Sequence, residues 1–103
     1  MKTHAAKRVE ITIEAIMEKR LARVLEEAGV SGYTILQVRG GSGRSGAWSR
    51  AGQVSPANGM VQFICIRRPE EVDALLEAAF AVVETHIGVV CVTDCEVLRA
   101  ERF

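Results

Sequence analysis

The sequence predicts an α+β domain with a ferredoxin-like βαββαβ order, in which two helices pack on one face of an antiparallel sheet. Two observations lead to this fold class. Four stretches are rich in strand-forming residues, and two stretches with a helical spacing of apolar residues follow the first and third of them. The chain has 103 residues, 49% hydrophobic and 25% charged, which fits a single folded domain over residues 1–103.

The first strand and the first helix are separated by a change of hydrophobic period. Val9, Ile11 and Ile13 alternate with polar residues, as in a strand that buries one face. A helical stripe follows and ends before Gly29, at the position where glycine commonly terminates a helix. The stripe consists of Met17, Leu21, Val24, Leu25 and Ala28.

The second and third strands are predicted at Tyr33 to Arg39 and at Met60 to Ile66. The third strand is apolar at nearly every position, which indicates that both of its faces are buried. Because the chain supplies helices for one face of the sheet only, we expect other subunits to cover the second face.

The second helix is predicted to begin at Pro69, with Glu70 and Glu71 in the first turn, where acidic residues are favoured. The fourth strand is predicted at Val89 to Thr93, and residues 96–103 either continue it or pair separately. The buried stripe of the helix consists of Val72, Leu75, Leu76, Ala79 and Val83.

Composition argues against several classes of function. Thirteen basic residues balance 13 acidic ones, so a broad basic face for nucleic acid is not expected. No apolar run approaches the roughly 20 residues of a membrane span, and residues 1–7 do not resemble a secretory signal. We therefore expect a cytoplasmic protein.

The cysteines and histidines give no sign of a metal or catalytic site. Cys65, Cys91 and Cys95 are odd in number and contain no C-x-x-C motif, which favours buried free thiols in a reducing compartment. His86 follows the second helix, where a role at the helix end explains it without catalysis. No Ser-His-Asp or Cys-His pairing is indicated by the spacing, so no enzyme activity and no metal are predicted.

Residues 40–59 show no hydrophobic period and contain six of the nine glycines, beginning with "RGGSGRSGAWSR" at residues 39–50. Gly41, Gly43 and Gly46 match the G-x-G-x-x-G spacing, but no helix follows them and Ile66 occupies the position of the required acidic residue. A P-loop is also excluded, because residues 40–59 contain no lysine.

Two interpretations of this stretch remain open. Glycines allow backbone N–H groups to converge on an anion, and Arg39, Arg44 and Arg50 supply positive charge, which together favour a phosphate-binding loop. The alternative is a solvated flexible loop, in which Trp48 is either exposed or held against a partner. Residues 43–57 are predicted to be mobile without ligand.

The segment "LARVLEEAGVSGYTILQVRGGSGRSG" resembles the first helix, second strand and T-loop base of the PII signal-transduction superfamily. The resemblance extends through "GVVCVTDCEVLRAERF" and is greatest to the carboxysome-associated, bicarbonate-responsive branch. It implies a homotrimer with a long T-loop at about residues 40–59. It also implies that ADP or AMP and bicarbonate bind in the clefts between subunits.

The same resemblance implies a set of nucleotide- and anion-binding residues. Those expected at the phosphate end are Gly40, Gly41, Ser42, Gly43 and Arg44; those at the second, shortened loop are Gly88 and Val89; and Arg99 would reach phosphate from one subunit. The T-loop would engage a protein partner, such as a bicarbonate transporter or a carboxysome component.

The sequence departs from the ordinary PII pattern in three respects. Residues 40–59 contain no tyrosine for nucleotidylation, "ETHIGVV" replaces the T-G-x-x-G-D-G-K phosphate loop, and Cys65 lies near the position of the glutamate linked to 2-oxoglutarate sensing. These departures favour ADP or AMP over ATP.

Two alternatives to a regulatory sensor are a structural or metal-tolerance-type ferredoxin-like trimer and a small acylphosphatase-like enzyme. The second lacks the expected anion-binding turn near "VEITIEAI".

Overall fold

The structure, a computed structural model, describes residues 1–30, 32–43, 46–49 and 59–99. Short 3-10 turns at Ala15–Met17 and Pro69–Glu71 lead into the two α-helices. The strands and helices are β1 His4–Glu14, α1 Glu18–Glu27, β2 Thr34–Val38, β3 Gly40–Gly43, β4 Gly46–Ser49, β5 Met60–Arg67, α2 Val72–Val83 and β6 Gly88–Val97. The predicted βαββαβ order is confirmed, with a small additional hairpin, β3–β4, between its second and third strands.

The main sheet has four antiparallel strands in the order β2-β5-β1-β6. The strand order confirms the ferredoxin-like fold, since each helix connects two strands that are separated by a third. β1 is central and pairs with β5 on one side and β6 on the other. As a result, the C-terminal end of β1 lies beside the first residues of both β5 and β6.

The core lies between the two helices and one face of this sheet, which we call the helix face. Val9, Ile11 and Ile13 of β1 are fully buried there, opposite Cys65, Phe63 and Val61 of β5. Fully burying a side chain of this size contributes about 1.5–3 kcal/mol. The helices contribute Met17, Leu21, Leu25, Val72, Leu75, Ala79, Val82 and Val83. The predicted stripes are therefore largely confirmed, although Ala28 is exposed and Val24 and Leu76 are only partly buried.

Gly29 terminates α1 as predicted. Its φ of +90° is a left-handed conformation that glycine adopts without a steric penalty, and the N–H of Val30 then donates to the carbonyl of Leu25 at 2.9 Å. The chain turns from here into β2.

The second face of the sheet, which we call the open face, carries apolar side chains that are exposed in the single chain. In β5 it receives Ile64 and Ile66, while the helix face receives Phe63 and Cys65, so this strand is apolar on both faces as predicted. Val89 of β6 is 60% exposed and Leu36 of β2 is 45% exposed on the same open face.

The structure corrects the prediction that all three cysteines are buried. Cys65 lies on the helix face and is buried, whereas Cys91 is exposed and Cys95 half-buried in the single chain. Cys91 and Cys95 of β6 are paired with Glu10 and Ala6 of β1, and both lie on the open face of the sheet. Their exposure in this chain therefore follows from the face on which they lie.

Two segments differ in extent from the prediction. The fourth strand runs from Gly88 to Val97 rather than from Val89 to Thr93, because β1 pairs with it over that whole length. The aperiodic stretch is also partly ordered, since Gly40–Gly43 pairs with Gly46–Ser49. Residues 31, 44, 45, 50–58 and 100–103 lie outside the described residues, and with them most of the segment predicted to be mobile.

Candidate functional site

Two connecting segments lie at the same end of the main sheet. The β3–β4 hairpin, which we call the glycine ribbon, follows the C-terminal end of β2, and its sequence continues to Gly59 at the start of β5. The loop of residues 84–88 leads from α2 into β6. The register places Glu14 opposite Met60 and Ile13 opposite Gly88, so the end of β1 lies between the two loops.

The first strand of the glycine ribbon, β3, has the sequence GGSG and so carries few side-chain atoms. Gly40, Gly41 and Gly43 pair with Ser49, Trp48 and Gly46, and Gly40 to Ser42 are exposed. In a two-stranded antiparallel ribbon, alternate N–H groups point to the partner strand and the others point away from it. Outward N–H groups on exposed glycines are the donors that an anion can approach closely.

The arginines predicted to support this ribbon lie in different places. Arg39 is exposed at the junction between β2 and the ribbon, whereas Arg44 and Arg50 lie outside the described residues. Arg99 follows the far end of β6, whose ten residues from Gly88 span about 33 Å. The structure therefore does not bring Arg99 to Gly88 within one chain.

Gly88 begins β6 in a place without room for a side chain. A Cβ atom there would lie 2.8 Å from the backbone oxygen of Thr12 and 3.2 Å from Cγ1 of Val83. The close approach of β6 to β1 thus requires glycine at the residue where the 84–88 loop ends. Val89 follows on the open face with its side chain largely exposed.

Glu14 is not among the predicted site residues, because its position in the alternation of β1 is that of an ordinary polar surface residue. In the structure its Oε1 accepts a hydrogen bond from the amide of Ile87 at 3.0 Å and lies 3.5 Å from Nδ1 of His86. The next residue, Ala15, donates its amide to the carbonyl of Gly59 at 2.7 Å. Glu14, the last residue of β1, therefore contacts the 84–88 loop, and Ala15, which follows it, contacts the residue that precedes β5.

Tyr33 supports the start of β2 next to the glycine-containing turn. Its ring packs against Phe63 with centroids 5.5 Å apart, and its hydroxyl donates to Oε1 of Glu26 at 2.8 Å. This hydrogen bond, with smaller effects of desolvation and of the Glu26 charge, raises the pKa of Tyr33 above its ordinary value. β2 is thereby anchored to α1 by the residue that precedes it.

Cys65 lies near the far end of the helix face, beside charged groups. Burial raises the pKa of its thiol, and the positive charge of Arg67 opposes that shift. Arg67 pairs with Glu71 at 2.6 Å, from the end of β5 to the turn before α2. Arg67 and Arg68 are the two positively charged residues that precede Pro69, and this ion pair neutralises the charge of the first.

The part of the chain that the structure describes contains no group of three or more His, Cys, Asp or Glu side chains arranged to hold a metal ion. Among the same residues, no helix is long and apolar enough to cross a membrane.

Comparison with known families and structures assigns the chain to a family. The family model described as "Nitrogen regulatory protein P-II" matches residues 6–102. The chain therefore belongs to the P-II family, as its resemblance to PII proteins implied. No sequence among the curated proteins matches this chain.

Solved structures agree with this assignment. A structure of CPII, a nitrogen regulatory PII-like protein from Thiomonas intermedia K12 bound to ADP, AMP and bicarbonate, is 31% identical, with a TM-score of 0.88 over 99% of this chain and 96% of that one. A CPII structure with ADP and bicarbonate is 32% identical, with a TM-score of 0.84 over 99% and 97% of the two chains. A putative PII-like signalling protein from Thermus thermophilus, 24% identical, shares the fold with a TM-score of 0.78 over 100% and 99%.

Proposed function

We propose that this protein is a non-enzymatic regulatory sensor that binds ADP or AMP together with bicarbonate in the clefts between the subunits of a homotrimer. The observation that carries the proposal is that the glycine ribbon and the 84–88 loop lie at the same end of the main sheet, where β1 ends between the strands that they adjoin. It occurs in a P-II family chain that is similar over nearly its whole length to a protein solved with these ligands.

The chemistry of the ribbon suits the phosphate end of a nucleotide. Gly40, Gly41, Ser42 and Gly43 carry no bulky side chains, so an anion can approach those of their N–H groups that point away from the partner strand. Arg44 would add a forked, charged contact, and Gly88 and Val89 would line the opposite side of the cleft. The missing T-G-x-x-G-D-G-K loop leaves few cations for a third phosphate, which favours ADP or AMP.

The open face of the sheet supports assembly. Ile64, Ile66 and Val89 lie on this face in a chain whose helices cover only the other side. Proteins of the P-II family are typically trimers, and burial of these side chains between subunits would remove apolar surface from water. Arg99, far from Gly88 in its own chain, would then reach phosphate in a neighbouring cleft.

Bicarbonate gives the sensor its regulatory input. It is small and carries one charge, so it should bind weakly alone and better to amides that the nucleotide has already turned inward. Each ligand would then offset part of the cost of ordering the T-loop at residues 40–59. The ordered loop would control a partner in inorganic carbon uptake or in the carboxysome, which places the protein in the cytoplasm or at that compartment.

Calorimetry tests this proposal directly. ADP is titrated at several bicarbonate concentrations, at constant pH and matched ionic strength, because added salt alone screens arginine–phosphate contacts. Coupling between two ligands is typically about 5- to 150-fold in affinity, and it is reciprocal. ADP affinity that does not respond to bicarbonate would refute the coupled sensor, and turnover of an acyl phosphate would favour the enzyme alternative.

The arginine contribution is tested in the same titration with a matched pair of variants. Arg44→Ala should weaken ADP binding and reduce the bicarbonate effect. Arg23→Ala removes the same charge from the exposed surface of α1 and should change neither.

A further inference from the structure

Glu14 is the last residue of β1 and lies between the two loops of the proposed site. Its side chain is 30% exposed and extends to the 84–88 loop, where Oε1 accepts the N–H of Ile87 at 3.0 Å. The same oxygen lies 3.5 Å from Nδ1 of His86. A carboxylate that accepts from a backbone N–H forms a stronger hydrogen bond than a neutral acceptor does.

The contact determines where the 84–88 loop ends. Gly88 follows Ile87 immediately and is confined against the backbone of Thr12. Ile87 is bound to Glu14, and Gly88 is paired with β1. Together these contacts fix the direction in which the chain enters β6, so that the Val89 side chain lies on the open face. Without an acceptor oxygen at this reach, Ile87 loses its hydrogen bond to β1, and only the pairing of Gly88 still fixes the end of the loop.

The neighbouring residue connects the same strand end to the residue that precedes β5. The amide of Ala15 donates to the carbonyl of Gly59 at 2.7 Å, where the chain returns from the ribbon to β5. Glu14 is also opposite Met60 in the register of β1 and β5. A displacement of Glu14 would therefore shift both the 84–88 loop and the start of β5.

We propose that Glu14 is a positioning residue for nucleotide binding. Its side-chain oxygen holds the 84–88 loop at a fixed distance from the paired residues Met60 of β5 and Val38 of β2, after which the glycine ribbon begins. This inference rests on the proposed function, since it assumes that the two loops bind the two sides of one ligand. The residue need not touch the nucleotide. Its role is to set, before the ligand binds, the distance between the 84–88 loop and the glycine ribbon that the nucleotide requires.

Two conservative variants separate the hydrogen bond from the charge. Glu14→Gln keeps an oxygen at the same reach but removes the charge, whereas Glu14→Asp keeps the charge but shortens the side chain by one C–C bond, about 1.5 Å. A hydrogen-bonding role predicts that Glu14→Gln binds ADP within about threefold of the wild type and that Glu14→Asp binds about tenfold more weakly. Glu77→Ala removes a carboxylate from the exposed surface of α2, outside both loops, and should not weaken binding.

Calorimetry with ADP is combined with amide hydrogen exchange in the ligand-free protein. The Ile87 amide should be protected in the wild type and in Glu14→Gln, and should exchange at least about tenfold faster in Glu14→Asp. Circular dichroism confirms that each variant is folded before its affinity is compared.

The possible results are distinct. Normal ADP affinity in Glu14→Asp, or a loss confined to Glu14→Gln, would overturn the positioning role while leaving the proposed function intact. A wild-type protein that does not bind ADP would overturn both. Weaker ADP binding in Glu14→Asp, together with faster exchange of the Ile87 amide, would support the positioning role.

Discussion

Gly88 lies so close to Thr12 that a Cβ atom at residue 88 would be 2.8 Å from the Thr12 backbone oxygen. Real Cβ atoms essentially never approach another heavy atom so closely, and a backbone oxygen within a strand cannot move aside cheaply. The pairing of β6 with the end of β1 therefore depends on the absence of a side chain at this one position.

The substitution Gly88→Ala should lower the free energy of unfolding by about 1–3 kcal/mol, because it forces the two strands apart. It should also weaken ADP binding, since the displaced strand begins at the end of the 84–88 loop. Gly32→Ala is the matched control: nothing lies within 4 Å of its Cβ position, and its φ is not positive. Urea unfolding that gives equal stabilities for the two variants would contradict the close contact.

Tyr33 is the single tyrosine of the chain, so its ionisation can be followed by ultraviolet absorbance without interference. Its pKa is raised, mainly by the hydrogen bond to Glu26, and its titration midpoint should lie above the ordinary value of about 10. Glu26→Ala should lower the midpoint, whereas Glu27→Ala, which removes the adjacent exposed carboxylate, should have little effect. An unchanged midpoint in Glu26→Ala would count against the contact.

The raised pKa of Tyr33 also determines how the free energy of unfolding changes with pH. The folded state holds the tyrosine proton more tightly than the unfolded state does. The stabilisation is therefore complete below the unfolded pKa, about 10, and is lost as the pH rises through the higher pKa of the folded state. In Glu26→Ala, alkaline unfolding should lose the part of its pH dependence that comes from Tyr33.

The three cysteines should differ in their reaction with a water-soluble thiol reagent. Cys65 is 1% exposed and its pKa is raised by burial, so it should react only after unfolding. Cys91 is exposed in the single chain, and it should be protected in a trimer that covers the open face. Mass spectrometry of the labelled peptides distinguishes them, and rapid native labelling of Cys65 would contradict its burial.

The parts of the fold that could be predicted are those with a local signature. The alternation of Val9, Ile11 and Ile13 predicts β1, and Gly29 marks the end of α1, because period and helix termination depend on residues close in sequence. The glycine ribbon could not be predicted in this way. Its strands are held by backbone pairing, and glycines offer no alternation of side chains that a sequence pattern could reveal.

The candidate site could be predicted only in part, for a similar reason. The resemblance to PII proteins pointed to Gly40–Gly43 and to Gly88, which the structure brings to one end of the sheet. Glu14 escaped prediction because its partner, Ile87, lies 73 positions away in the sequence. The exposure of Cys91 likewise depends on which face of the sheet the helices leave open.

Assembly can be tested on the open face with a pair of lysine substitutions. Ile64 lies on that face in β5, between Glu10 of β1 and Thr34 of β2. Ile64→Lys would place a charge inside the proposed subunit interface, where its desolvation is costly, and should convert the trimer to monomer. Phe80→Lys introduces the same charge on α2 at a side chain that is 58% exposed, and should leave the trimer intact. Light scattering at micromolar concentration reports both masses, and a monomeric wild type would refute the trimer.

The same pair of variants tests whether the nucleotide site lies between subunits. If the cleft needs groups from two chains, Ile64→Lys should lose ADP binding although Ile64 itself is far from both loops in the register of β5. Its affinity should partly recover at high protein concentration, because mass action restores the trimer. Phe80→Lys should bind ADP like the wild type. A monomeric Ile64→Lys that binds ADP with undiminished affinity would show that one chain holds the whole site, and Arg99, at the far end of β6, would then have no part in it.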